Sequence, residues 1–117
     1  MTQAVIGAAL EVHRILGPGL LESIYEEALS HELRLRGLRF TRQKPVDVLY
    51  KGVVIKGQRI DLIVEDEVII EIKSVSSLPE VVVAQVLSYL RVTGMRRALI
   101  INFGERLLKD GIRRVSL

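Results

Sequence analysis

The chain contains no cysteine and no tryptophan, and aromatic residues make up only 4% of its 117 positions. Without cysteine there are no disulfides, no thiolate metal centre and no thiol nucleophile. This agrees with a reducing, cytoplasmic setting, which is the expected location. The two histidines, His13 and His31, do not form a metal-ligand spacing, so packed or surface roles are favoured for them. Scarce rings imply an aliphatic core. No apolar run is long enough to cross a bilayer, and no membrane association is expected. No charged n-region followed by a short apolar h-region opens the chain, so no secretory leader is expected. Neither charge sign dominates. Seventeen Lys and Arg oppose fourteen Asp and Glu, giving a net charge of +3. That permits nucleic acid as a partner without demanding it, and a solvated surface is the simpler reading. There is no repeat, low-complexity tract or linker, and the length suits a single domain over 1–117.

Apolar residues make up 49% of the chain, enough for a sizeable core. The stretch that organises the rest is Arg59–Ser74, R-I-D-L-I-V-E-D-E-V-I-I-E-I-K-S. It reads as two apolar strands around an acidic turn, with Asp61, Glu71 and Lys73 set where a sheet would favour carbon. The period of two puts Glu71 and Lys73 on one face. Charges there are costly unless they are paired or hold something. Asp61 joins that face only if Val64 stands opposite Val68 around a three-residue loop, Glu65-Asp66-Glu67, or if a bulge intervenes. A two-residue loop would turn Asp61 to the other side.

Upstream, residues 4–16 read as a helix with Val5, Ala9, Val12 and Leu16 in its stripe, broken by Gly17-Pro18-Gly19. A second helix is expected over Leu20–Arg36, stopped by Gly37. Its apolar face is Leu21, Ile24, Tyr25, Ala28, Leu29 and Leu33. Glu22 shares that face by spacing. As a first-turn carboxylate it also gains from the helix dipole, and spacing alone does not separate that role from one in a site. Glu26, Glu27 and Glu32 read as solvated charges. Phe40–Gln43 begins a strand that Lys44-Pro45 is expected to interrupt. Val46–Tyr50 resumes it, Lys51-Gly52 is a two-residue turn, and Gly57 marks a bulge. An antiparallel meander through Lys73 follows.

Leu78-Pro79-Glu80 opens a third helix that runs to Val92 or Thr93 and ends at Gly94. Gln85 and Tyr89 share one of its faces. The run Ala98–Phe103 suits a buried parallel strand, making residues 68–103 a right-handed crossover. Ile112–Leu117 adds a short edge strand.

Two or three carboxylates with no histidine or cysteine make a hard oxygen site, suited to Mg²⁺ or Mn²⁺. A lysine beside them can orient a water or neutralise charge on phosphate. The chemistry implied is metal-assisted hydrolysis of a phosphodiester. The plainer alternative is a salt-bridged hairpin, with Glu71 paired to Lys73 or Arg59 and Asp61 solvated.

G-L-L-E-S-I-Y at Gly19–Tyr25, with R-I-D-L-I-V, I-I-E-I-K, A-Q-V-L-S-Y-L and L-I-I-N-F-G, resembles the GxxExxY protein family over essentially the whole chain. That group is similar to the PD-(D/E)xK nuclease superfamily. The resemblance implies an α/β, restriction-endonuclease-like αβββαβ core, with a central mixed β-sheet flanked by helices. It implies catalytic positions at Asp61, Glu71 and Lys73, with Glu22 as the helical glutamate completing a metal site of Asp61, Glu71 and Glu22. Gln85, with Tyr89 beside it as a substrate-binding candidate, matches a helix position that can contact substrate or the metal's waters. One departure is Ile60, which stands where the motif's proline would precede Asp61.

Three functions are therefore weighed. The first is a Mg²⁺-dependent nuclease acting on DNA or RNA. The second is a catalytically inactive module that binds nucleic acid or a protein, with Arg34, Arg36, Arg39, Arg42 and Lys44 as a basic patch for phosphates. The third, compatible with either, is a homodimer formed through apolar groups at Leu78, Val81, Val82 and Val83.

Overall fold

The computed structural model describes residues 1–117. Two helices, α1 (Thr2–Leu16) and α2 (Glu22–Leu35), precede the strands β1 (Phe40–Tyr50), β2 (Val53–Val64) and β3 (Val68–Lys73). Helix α3 (Val81–Thr93) leads to β4 (Arg97–Asn102), and a 3₁₀ turn (Leu108–Gly111) leads to β5 (Ile112–Ser116). The strands form one sheet in the order β1-β2-β3-β4-β5. Only β3 and β4 are parallel; the other neighbours are antiparallel. Helix α2 with β1–β3, α3 and β4 gives the expected αβββαβ core within a mixed sheet.

Alternation along the central strands sends side chains to two apolar layers. Leu62, Val64, Val68, Ile70, Ile72, Leu99 and Ile101 pack with α1 and α2. Ile63, Ile69, Ala98, Ile100 and Val115 pack beneath α3. Because β3 and β4 are covered on both faces, they read as unbroken apolar runs.

The α1 stripe is Val5, Ala8, Ala9, Val12 and His13, while Leu16 is exposed. His13 is a packed residue whose Nε2 lies 2.9 Å from the carbonyl of Glu105. In α2 the buried face is Tyr25, Glu26, Leu29, Ser30 and Leu33; Leu21 and Ile24, expected inside, are exposed. The Tyr25 ring stacks on Phe103 at 4.5 Å, and its hydroxyl ties down the preceding loop through the Gly17 carbonyl and the Leu20 N–H. Spacing had put Ile24 on the core stripe, but the helix is rotated toward these partners.

Pro45 does not interrupt β1, contrary to the sequence expectation: it pairs with Arg59 inside a continuous strand. β1 lies at the sheet's edge, where a strand can lack one N–H without losing a ladder bond. The bulge near Gly57 is present, since the register shifts between Val46 and Val48 as Lys56 and Gly57 pass Asp47. The Lys51-Gly52 turn joins Tyr50 to Val53, with both turn residues at positive φ as a type I′ hairpin requires. β5 spans Ile112–Ser116, as expected of an edge strand.

Candidate functional site

The register of β2 and β3 meets the stated condition. Val64 pairs with Val68, Ile63 with Ile69 and Leu62 with Ile70, around the loop Glu65-Asp66-Glu67. Glu65 and Asp66 both take positive φ, and the Glu67 N–H closes the turn on the Val64 carbonyl. Asp61 and Glu71 are next in that register and so share a face. The ladder itself stops at Leu62–Ile70. Beyond it, the N–H of Ile72 is accepted by the Asp61 carboxylate at 2.8 Å. A side chain replaces the next backbone rung, and β2 leaves β3 where the site begins.

Glu71 is buried, with 4% of its surface exposed. One oxygen lies 3.3 Å from the Lys73 Nζ. The other, Oε1, is buried without any hydrogen-bond partner, a condition shared only with the Ser30 hydroxyl. Burial, followed by the nearby Asp61 charge, pushes the Glu71 carboxyl up to about 7; Lys73 pulls it down, and Glu22 adds a smaller upward push. Asp61 is half-buried and raised as well. Burial is the main cause, the Ile72 N–H opposes it, and the charge of Glu26 adds to it. The simple salt-bridged hairpin is thus half present: Glu71 and Lys73 pair, but Asp61 is not solvated.

Two residues that local spacing did not single out complete the surroundings. Gln43 falls between the pairs Arg42–Leu62 and Lys44–Ile60, hence opposite Asp61. Its amide nitrogen lies 2.6 Å from Glu26 and 3.4 Å from Asp61. Gln43 holds φ at 52°, unusual for a side chain of its size. Glu26 is buried rather than solvated, because Arg42 bonds it at 3.0 Å while also reaching Glu27. By spacing Glu26 stands three and seven residues before Leu29 and Leu33 and so joins their face, but that it is paired there rather than solvated depends on β1. That pairing also dismantles the basic patch expected over residues 34–44. Arg36 pairs with Glu32, Arg39 with Glu65 and Arg42 with both glutamates, and Arg34 lies over the Phe40 ring. Of the five, Lys44 has neither kind of partner.

Helix α3 brings Gln85 and Tyr89 over the same face. The Gln85 amide donates to the Tyr89 oxygen at 2.7 Å. The Tyr89 phenol is raised by burial and then by the Glu71 charge, which places it within electrostatic reach of the carboxylates. Glu22 is exposed at the first residue of α2. Its charge reaches Glu71, but no three His, Asp or Glu side chains gather closely enough to enclose an ion by themselves.

The donor set still fits a hard divalent cation. The pair Asp61 and Glu71 offers oxygens only, one of them buried and unsatisfied, and Mg²⁺ characteristically takes one or two carboxylates and keeps waters or phosphate elsewhere.

An αβββαβ sheet with an acidic pair and a lysine at the divergence of two central strands defines a nuclease-like module. The chain belongs to the PD-(D/E)XK nuclease superfamily, whose family model matches residues 1–115. Searches of curated proteins and of solved structures returned no match. No helix is long and apolar enough to cross a membrane.

Proposed function

We propose that this domain hydrolyses phosphodiester bonds in nucleic acid, using Mg²⁺ or Mn²⁺ held by Asp61 and Glu71. The observation that carries this reading is the buried, unpartnered Oε1 of Glu71, set beside Asp61 and Lys73. An unsatisfied carboxylate oxygen in a low-dielectric site is costly and is relieved by a cation. Bound there, the metal would polarise a phosphoryl oxygen and lower the pKa of a bound water. Lys73 sits where its ammonium can orient the attacking water and offset charge developing on phosphate. Glu22, whose charge reaches Glu71 from the start of α2, would serve through a water of the ion's shell. Gln85 and Tyr89 form the α3 wall against the substrate. A cytoplasmic setting and a homodimer go with this reading. Val82 is buried and Val83 half-buried, so of the three helical valines expected at the dimer contact only Val81 remains exposed. The larger exposed apolar group is the tip of the β1–β2 hairpin, where Leu49, Tyr50 and Val53 stand out.

A second reading, a catalytically silent binding module, is favoured by the absence of a third clustered carboxylate. The two are separated by titrating Mg²⁺ and Mn²⁺ against labelled DNA and RNA with wild type, Asp61→Asn and Lys73→Ala. The nuclease reading expects each substitution to reduce metal-dependent cleavage by about a hundredfold or more with the fold intact. Cleavage that survives both substitutions in purified protein overturns it.

A further inference from the structure

Most of the chain's exposed, unpaired cations lie after residue 80, beyond the basic run read at 34–44. Residues 81–117 hold seven Lys and Arg against Glu105 and Asp110, a net of 7 − 2 = +5; residues 1–80 hold ten against twelve acids, a net of −2, and the two sum to the chain's +3. All seven cations after residue 80 are exposed, and none enters an ion pair. Of the ten before it, six are ion-paired. Unpaired exposed cations keep both their charge and their counterions, which is the condition for phosphate binding driven by counterion release.

This charge adjoins the candidate site. Glu71 pairs across the sheet with Ile100, and Ile100 with Arg113. Arg113 therefore lies on the face of Glu71, two strands away, or about 10 Å at ordinary strand spacing. Lys73 pairs with Asn102, the last residue of β4, so the segment carrying Arg106 and Lys109 leaves the sheet at the end where Lys73 stands. Arg96 and Arg97 extend the charge to the other end of β4.

The surface offers no stacking partner. Tyr25, Tyr89 and Phe103 are buried, Phe40 lies beneath Arg34, and Tyr50 is at the tip of the hairpin on the far edge. Single strands are normally held by aromatic platforms as well as by charge. Cations without rings read the phosphates of a stacked duplex instead.

We infer that the β4–β5 edge, centred on Arg106, Lys109 and Arg113, is a docking surface for the phosphate backbone of double-helical nucleic acid, which it delivers to the Asp61–Glu71 site. The surface rests on the proposed function only for what happens after docking. Binding itself needs no metal and no intact carboxylates.

The test is fluorescence anisotropy in EDTA, with a labelled 20-base-pair duplex, the matching single strand and anionic phosphatidylserine vesicles as probes, across a salt series. Wild type is expected to bind the duplex tightest, with log K falling by about 0.9 per log salt for each phosphate neutralised. The triple variant Arg106→Gln, Lys109→Gln, Arg113→Gln is expected to lose about tenfold or more at low salt, with a shallower slope. Lys51→Gln, on the far hairpin, is expected to bind as wild type. The inference is overturned by tighter binding to single strand or vesicles, by no duplex binding, or by a triple variant that binds as wild type. Cleavage assays on the same proteins keep the two ideas apart. Duplex binding without cleavage refutes the nuclease and leaves the surface, whereas cleavage unaffected by the triple substitution refutes the surface and leaves the nuclease.

Discussion

Asp61 and Glu71 face one another across two strands that part company at that pair, because the Asp61 carboxylate takes the Ile72 N–H that would have extended the ladder. Two carboxyl groups are thereby brought together in a largely dry site, and both are raised above their ordinary values.

The first consequence is a pH dependence of stability in metal-free protein. Glu71 moves from an ordinary 4.5 to about 7 in the fold, so between those values the native state binds more protons than the unfolded chain. Stability therefore falls as pH rises from about 4.5 to about 7 and is flat, for this group, above that. The limiting size is about 3 kcal/mol. Urea denaturation from pH 4.5 to 8.5 should show this decline, and Glu71→Gln should remove most of it while making the protein more stable at pH 8. An unchanged profile in Glu71→Gln would assign the decline to other groups.

Mg²⁺ should counter the same penalty. At pH 8 we expect the divalent ion to raise the melting temperature of wild type, and neither Glu71→Gln nor Asp61→Asn to respond. Thermal melts with Mg²⁺, Mn²⁺ and Na⁺ at matched ionic strength check this independently of any cleavage.

Glu26 is expected to matter to the fold in proportion to its burial. Glu26→Ala removes the partner that Arg42 and Gln43 share, and we expect a loss of about 2–3 kcal/mol. Glu27→Ala, which removes only an exposed contact with Arg42, should cost clearly less. Equal costs would show that the Glu26–Arg42–Gln43 contacts are not coupled to burial.

Asn102 fixes the chain just beyond Lys73. Its Oδ1 accepts the N–H groups of Val75 and Gly104, both at 3.0 Å, and its amide donates to the Val75 carbonyl at 2.9 Å. Asn102→Ala should cost about 2–4 kcal/mol in chemical denaturation. Gly104→Ala should be as damaging, because a Cβ there would lie 2.3 Å from the Val75 carbonyl oxygen. If Asn102→Ala is neutral, this clamp does not hold the loop after β3.

The hairpin tip should be silent in stability and active in association. Leu49 is 71% exposed, so Leu49→Lys should change stability by less than about 0.5 kcal/mol. If two copies pair through this tip, sedimentation at micromolar concentration should show a wild-type dimer that the substitution dissociates. A monomeric wild type removes the homodimer.

What could be read from the sequence was local. Alternation placed Glu71 and Lys73 together, Lys51-Gly52 gave its turn and Gly94 ended α3 in a left-handed cap; for Asp61 only the condition was legible, and the fold met it with the loop Glu65–Glu67. These follow from backbone geometry over a few residues, which neighbouring side chains suffice to specify. What only the tertiary structure decided was the state of the charges. Spacing on α2 put Glu26 on the face of Leu29 and Leu33 but could not show it paired, because its partners lie on β1. A run of arginines at 34–42 could not show itself neutralised, because some of the neutralising acids come from elsewhere in the chain. Gln43 opposite Asp61 and Arg113 in line with Glu71 exist only through strand register. Local sequence fixes where a charge points, but its cost and its freedom depend on which distant groups the fold brings against it.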